Sequence, residues 1–295
     1  MRVHCLVNDR SGRRRVGADA VRDAFRGAGV GEADLVVQAC STPRSLAALI
    51  GAALESRPDV LVAAGGDGTV SAVAARLAGC STPLGVLPSG SLNHFARDLG
   101  MPLELEAAAV AIVSGRTRAI DLGEVNGRPF INNAGLGVYP HALRVRDRWR
   151  QRLGKWPAAA LGMAAAIARW PRLELEVALP GETLRGHLPL LFVGNNRYAV
   201  GWPQLGSRER LDEGRLSVIA AREPTRRALV RALWLAARAR PVGAAVANGS
   251  VAALEVVDAG SRRSRVRASL DGELVRLELP LRFRALPGAL RVRVP

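Results

Sequence analysis

Two textures of apolar and polar positions follow one another along the 295-residue chain, and the change falls near residue 122. In the first part, short apolar runs alternate with segments of helical period: residues 3–8 read as a strand, 17–29 as a helix ended by glycine, 35–39 as a strand and 44–56 as a helix. Residues 59–64, DVLVAA, are almost wholly apolar, which marks a strand buried on both faces. A helix over 70–78, a strand over 83–87, helices over 93–99 and 103–114, and a strand ending at Ile120-Asp121 complete a βαβ pattern with a parallel sheet. Beyond residue 125, alternating strands at 173–179, 187–194, 214–221, 251–258 and 265–284 predict an antiparallel sheet or sandwich. Two helices, near 141–169 and 224–239, interrupt it.

Composition narrows the chemistry. Lys+Arg number 42 against 26 Asp+Glu, a net charge of +16, and Lys155 is the only lysine. A P-loop or a protein kinase needs a lysine on the phosphates, and Lys155, in RLGKW, fits neither context. Any nucleotide handling must therefore use another phosphate-binding device. Cys5, Cys40 and Cys80 show no C-x-x-C spacing and read as buried free thiols of a reducing compartment, not as a disulfide framework or a zinc site. The N-terminus lacks the pattern of a signal peptide, and the longest apolar run, 156–167, is shorter than the roughly 20 residues a bilayer requires. These features predict a cytoplasmic protein, with a membrane surface still within reach.

The buried strand runs into Gly65-Gly66-Asp67-Gly68-Thr69 and turns at once into a helix. Glycines allow close backbone approach, and the start of a helix presents unpaired N–H groups to an anion. Asp67 would repel bare phosphate but becomes useful with magnesium between them. The alternative is a tight turn with Asp67 and Thr69 as helix caps.

Seven motifs in order carry a resemblance to the diacylglycerol kinase catalytic-domain family, the bacterial lipid kinases related to sphingosine kinases and NAD kinases. They are Asn8-Asp9-Arg10-Ser11-Gly12; Gly65 to Thr69; PSGSLNHFAR at 88–97; Asp121-Leu122-Gly123; FINNAGLG at 130–137; LDEGRL at 211–216; and Asp271-Gly272-Glu273. The resemblance implies a Rossmann-like ATP-binding domain over 1–122, a β-rich lipid or acceptor domain over 123–284, and a final strand, 285–295, returning to the first domain. It implies ATP held by Asn8, Ser11, Gly12, Thr42, Gly65, Gly66, Asp67, Gly68, Thr69, Ser71, Ser91 and Asn93. His94 stands where the family has aspartate, and Ser71-Ala72 replaces a common Asn-Glu pair, so the polar network near the phosphates differs here.

Asp271 and Glu273 are two apart and share a face if that segment is extended. The resemblance implies Glu273 as the general base for an acceptor hydroxyl, with Asp271 orienting the site, and Asp67 and Asp121 organising Mg2+ on ATP. Read alone, Asp-Gly is a hairpin-turn signal. The LDEGRL segment resembles one in which a carboxylate and two carbonyls bind a structural magnesium, here Glu213 with Arg210 and Arg215.

The expected activity is transfer of the γ-phosphate of ATP to diacylglycerol or a related lipid with a free hydroxyl. The alternatives are an NAD kinase-like enzyme with a soluble substrate and a basic nucleotide-binding protein with impaired catalysis. As a helix, 143–156 aligns Val145, Trp149, Leu153 and Trp156 in one stripe among arginines, which suits peripheral contact with the anionic inner membrane surface. The alternative is a helix packed on its own domain with a solvated basic face. No motif for specific nucleic-acid binding is present, and the resemblance leaves a homodimer open.

Overall fold

The computed structural model describes residues 1–9, 16–90, 93–170, 173–198, 208, 210–223, 225–237, 246–260 and 262–295. It divides into two compact units, Met1–Leu122 with Pro287–Pro295, and Gly123–Leu286. Two strands pass from one unit into the other: β5 (Arg116–Val125) and β16 (Leu281–Val294).

The first unit is built on parallel strands in the order β2-β1-β3-β4, from β1 (Val3–Asn8), β2 (Leu35–Cys40), β3 (Val60–Gly65) and β4 (Leu84–Pro88). The last part of β16 joins β4 in parallel at Val292↔Leu84. All six residues of β3 are buried, as a strand covered on both faces requires. The covering helices are α1 (Ala18–Gly27), α2 (Pro43–Glu55), α3 (Asp67–Leu77), α4 (His94–Asp98) and α5 (Leu105–Ser114). From β1 the chain moves outward to β2, then returns past β1 to β3. Right-handed crossovers therefore put α1 on one face and α2 and α3 on the other, in agreement with the contacts of α1 with α5 and of α2 with α3. The order reverses between β1 and β3, and open α/β sheets bind ligands at the carboxyl ends of strands at such a reversal. Those ends are Asn8 and Gly65.

The second unit is a two-layer antiparallel assembly. One sheet has the order β12-β11-β10-β7-β14-β15, from β7 (Asn133–Gly137), β10 (Leu190–Asn195), β11 (Leu216–Ala221), β12 (Val246–Val251), β14 (Arg265–Leu270) and β15 (Glu273–Glu278). The other runs from the first part of β16 through β13 (Ala253–Asp258) and β8 (Glu174–Leu179) to β9 (Glu182–His187), with β5 and β6 (Arg128–Phe130) beside it. Alternate residues of both sheets, such as Val177, Val193, Val218, Val256, Val266 and Leu277, meet in one core.

The α/β-then-sandwich class expected from the sequence is what is found, with corrections in detail. The run 265–284 is three strands, because Asp271 (φ +49) and Gly272 (φ +86) reverse the chain and Pro280 has no N–H for a ladder. Strands β6, β7, β9 and β12 escape the sequence pattern because they are short or carry glycine and polar or charged residues: β9 reads ETLRGH and β12 VANGSV. The helix expected over 141–169 is two, α6 (Val138–Leu153) and α7 (Lys155–Arg169), broken at Gly154, whose φ is +79. That break takes Trp156 off the stripe of Val145, Trp149 and Leu153, and Trp156 is 75% exposed on α7. Gly162 lets the two helices meet, since a Cβ there would lie 2.4 Å from the carbonyl oxygen of Ala142. With Leu229 of α8 (Arg226–Ala237) they form a small core of Val138, Ala142 and Ala166. Among the described residues no helix is long and apolar enough to cross a membrane.

Candidate active site

In the first unit three segments converge at the strand-order reversal. The chain leaves β3 through Gly65 and Gly66, and Gly66 caps α3 with extended backbone (φ −83) and no side-chain bond. Gly65, Gly66 and Gly68 all lack positive φ, so these glycines serve close approach instead of left-handed turning. A Cβ on Gly65 would lie 2.6 Å from the Thr69 hydroxyl, and one on Gly90 2.6 Å from Cα of Gly66. The loop after β4 therefore presses directly on the loop after β3. Thr69 and Val70 give their N–H groups to the Gly66 carbonyl, at 2.9 and 3.1 Å, which leaves the earlier amides of α3 directed outward, as at any helix start.

The caps considered for Asp67 and Thr69 are not formed. Thr69 is buried and its hydroxyl accepts from Nδ2 of Asn8 at 2.9 Å, while Asp67 Oδ1 accepts the Phe95 amide at 3.4 Å. Asn8, Asp67 and Thr69 thus tie the three segments together. Asn93 (φ +50) holds the second loop by exchanging two bonds with Gly90, at 2.9 and 3.0 Å. Thr42 sits just beyond β2 and forms a reciprocal cap of α2 with Ser45. Ser71 lies one turn into α3, and Asp121, 2% exposed, accepts the Gly288 amide at 2.9 Å and so holds the middle of β16. Ser11, Gly12 and Ser91 lie outside the described residues.

The second unit carries the other carboxylates. Asp271 is not on a strand face with Glu273, as an extended segment would have it, but within the left-handed turn that joins β14 to β15. Its carboxylate accepts three amides, from Ile131 at 2.9 Å, Asn132 at 2.7 Å and Asn133 at 3.0 Å, and its own N–H goes to the Asn133 carbonyl. The hairpin reading of D-G-E is realised at Asp271, and the same residue ties the turn to residues 131–133. Glu273, the first residue of β15, is exposed, and its side chain makes no hydrogen bond or ion pair among the described residues. Partial shielding of its carboxyl from water, and secondly the charge of Asp271, raise its pKa.

Behind the turn lies a polar network with no local sequence signature. Arg208, 4% exposed, reaches the Ile131 carbonyl at 2.6 Å and Oδ1 of Asn132 at 2.7 Å, and its guanidinium lies 5.4 Å from the ring centre of Tyr198. Tyr198 donates its hydroxyl to the Asn132 carbonyl at 2.8 Å, and Asn195 Nδ2 donates to that of Ile131 at 2.9 Å. These groups hold the carbonyls of the same peptide segment whose amides hold Asp271. Glu213 accepts the Arg197 amide at 2.9 Å, and the Arg215 carbonyl accepts that of Asn196 at 2.9 Å. Among the described residues no three His, Cys, Asp or Glu side chains come together as metal ligands; at the expected Glu213, Arg210 and Arg215 site one oxygen of the Glu213 carboxylate and the Arg215 carbonyl each already accept an amide.

The comparisons place this arrangement, a glycine loop on a parallel sheet followed by an antiparallel sandwich with a braced carboxylate turn, in the ATP-using kinase class of phosphotransferases. Residues 2–125 match the diacylglycerol kinase catalytic domain, and 133–294 match the YegS C-terminal NAD kinase beta sandwich-like domain. The chain is 35% identical over 241 residues to a Pseudomonas aeruginosa protein named "Probable lipid kinase YegS-like", covering 80% of this chain and 76% of that one. A Bacillus subtilis diacylglycerol kinase is 32% identical over 184 residues, 61% of this chain and 60% of the other. A crystal structure of a diacylglycerol kinase from Bacillus anthracis superposes with a TM-score of 0.69 at 16% identity over 100% of this chain and 97% of that one, which shows the shared fold. The chain belongs to the YegS-like lipid kinase family, whose N-terminal part here is a diacylglycerol kinase catalytic domain.

Proposed function

We propose that the protein transfers the γ-phosphate of ATP to the hydroxyl of diacylglycerol or a related lipid, with Glu273 as general base. The observation that carries this reading is the division of labour in one turn: Asp271 spends its carboxylate on three amides, and Glu273 beside it keeps a carboxylate with a raised pKa. A base whose pKa lies nearer the working pH is the better proton acceptor. The acceptor O–H gives its proton to Glu273 as its oxygen bonds to phosphorus, and the bond to the ADP oxygen breaks. The amides at the start of α3 bind the phosphates, and Asn8 and Asn93 hold the surrounding loops in register. A magnesium ion on ATP would offset phosphate charge and asks for one or two carboxylates plus phosphate oxygens, a need that Asp67 at the mouth of the loop fits. Peripheral contact with an anionic membrane is supported by Leu153, exposed among the arginines of α6, and by Trp156, exposed at the start of α7.

The test is a labelled-ATP assay with diacylglycerol, sphingosine, NAD and no acceptor. The reading expects label in a lipid and its loss in Glu273→Gln with ATP binding retained. Transfer to NAD alone, or an unchanged Glu273→Gln enzyme, would refute it.

A further inference from the structure

The outer face of the β7-β14-β15 sheet, where α6 packs, holds a cavity of about 910 Å3 within the second unit. Six arginines line it: Arg144, Arg169, Arg263, Arg265, Arg267 and Arg276. No carboxylate is among the described lining residues. The register of the hairpin shows how unusual this is. Arg265 stands opposite Glu278 and pairs with it at 2.6 Å, a self-sufficient arrangement of opposite charges. One rung further, Arg267 stands directly opposite Arg276, and neither has an ion-pair partner among the described residues. Like charges facing each other across an antiparallel pair destabilise it, so this rung lacks its counter-charge. The same field reaches His141, whose pKa is lowered by burial first and then by Arg144, Arg169 and Arg267. The rest of the wall is apolar, from Pro140, Trp170, Leu173 and Leu274.

We infer that this cavity binds a phosphate-bearing amphiphile, its phosphate between Arg267 and Arg276 and its hydrocarbon along Trp170, Leu173 and Leu274. Arginine is the residue best matched to phosphate oxygens. The volume lies at the upper end for small-molecule sites, and bare phosphate would leave the apolar wall unfilled. The inference does not use the assignment of Glu273, so the two stand or fall separately.

Calorimetry on the full chain distinguishes the sources of phosphate: short-chain phosphatidic acid below its micelle concentration, inorganic phosphate, and short-chain diacylglycerol. Phosphatidic acid should bind best, raise the His141 pKa seen by NMR as it neutralises the arginines, and bind at least tenfold more weakly to Arg267→Gln/Arg276→Gln. Removing the like-charge rung should leave the melting temperature of that variant unchanged or higher. Because Arg276 is exposed on an edge strand, Arg276→Gln alone provides the same comparison if the double variant folds poorly. Equal phosphatidic acid binding by the variants and the wild type overturns the inference. Binding of inorganic phosphate as tight as that of the lipid overturns its hydrocarbon half, and a diacylglycerol affinity that falls as far as that of phosphatidic acid in the variants overturns its phosphate half.

Discussion

The loop at Gly65 and the turn at Asp271 place reactive groups by opposite means. At Gly90 a missing side chain lets two backbone segments touch, at Gly65 one leaves room for the Thr69 side chain, and the groups offered to a ligand are amides. At Asp271 a side chain collects three amides, and the group offered is the neighbouring carboxylate of Glu273. Amides bind an anion without a charged side chain, whereas a carboxylate base is itself a charge, and here the turn that presents Glu273 is held by a second carboxylate, Asp271. The two regions should therefore fail differently when altered: additions damage the first and deletions the second.

The largest effect should come from Glu273→Gln, which removes the charge and keeps the shape: loss of a general base lowers kcat about 100- to 10,000-fold, with KM for ATP and the urea midpoint unchanged. The pH profile sharpens this. Glu273 acts only when ionised, and its pKa is raised, so kcat should fall as pH drops through a value above the usual glutamate range. Asp271→Asn removes the second cause of the shift and should move that acid limb to lower pH, with the larger cause, shielding from water, still present.

Asp271→Ala strips an acceptor from three amides at once. Each donor left dry costs about 1–3 kcal/mol, which urea unfolding would report as a large drop in midpoint together with lost activity. Gly90→Ala is the corresponding addition in the other region. Its Cβ would meet backbone, which cannot swing aside, and overpacking of this kind costs about 1–3 kcal/mol. A raised KM for ATP with kcat largely kept is the expected kinetic signature. Thr42→Ala should have the smallest effect, about 1 kcal/mol for a lost helix cap, seen in thermal melting; a much larger rise in KM for ATP would mean that Thr42 also touches the nucleotide.

The α/β class, the parallel strands and the strand–glycine turn–helix at 60–77 were legible because each rests on local pattern: a wholly apolar six-residue run, a glycine cluster, and a helix starting at once. The break at Gly154 and the divided 265–284 run were less so, since a single left-handed residue hardly disturbs the apolar count on either side. Arg208 was not legible at all. Nothing near it in sequence distinguishes it from the other basic residues, yet it is buried against carbonyls of residues 131 and 195.

By itself the sequence determined which chemistry was available: no lysine for a P-loop, glycines where phosphate could approach backbone, and two carboxylates around one glycine. Only the tertiary structure decided how those groups divide the work. The carboxylates of Asp271 and Glu273 differ by one methylene, and what separates them is that three amides from a segment some 140 residues away converge on the first and none on the second. Likewise a charge of +16 is a total, while the missing counter-charge at Arg267 and Arg276 exists only because a hairpin register sets those two residues face to face.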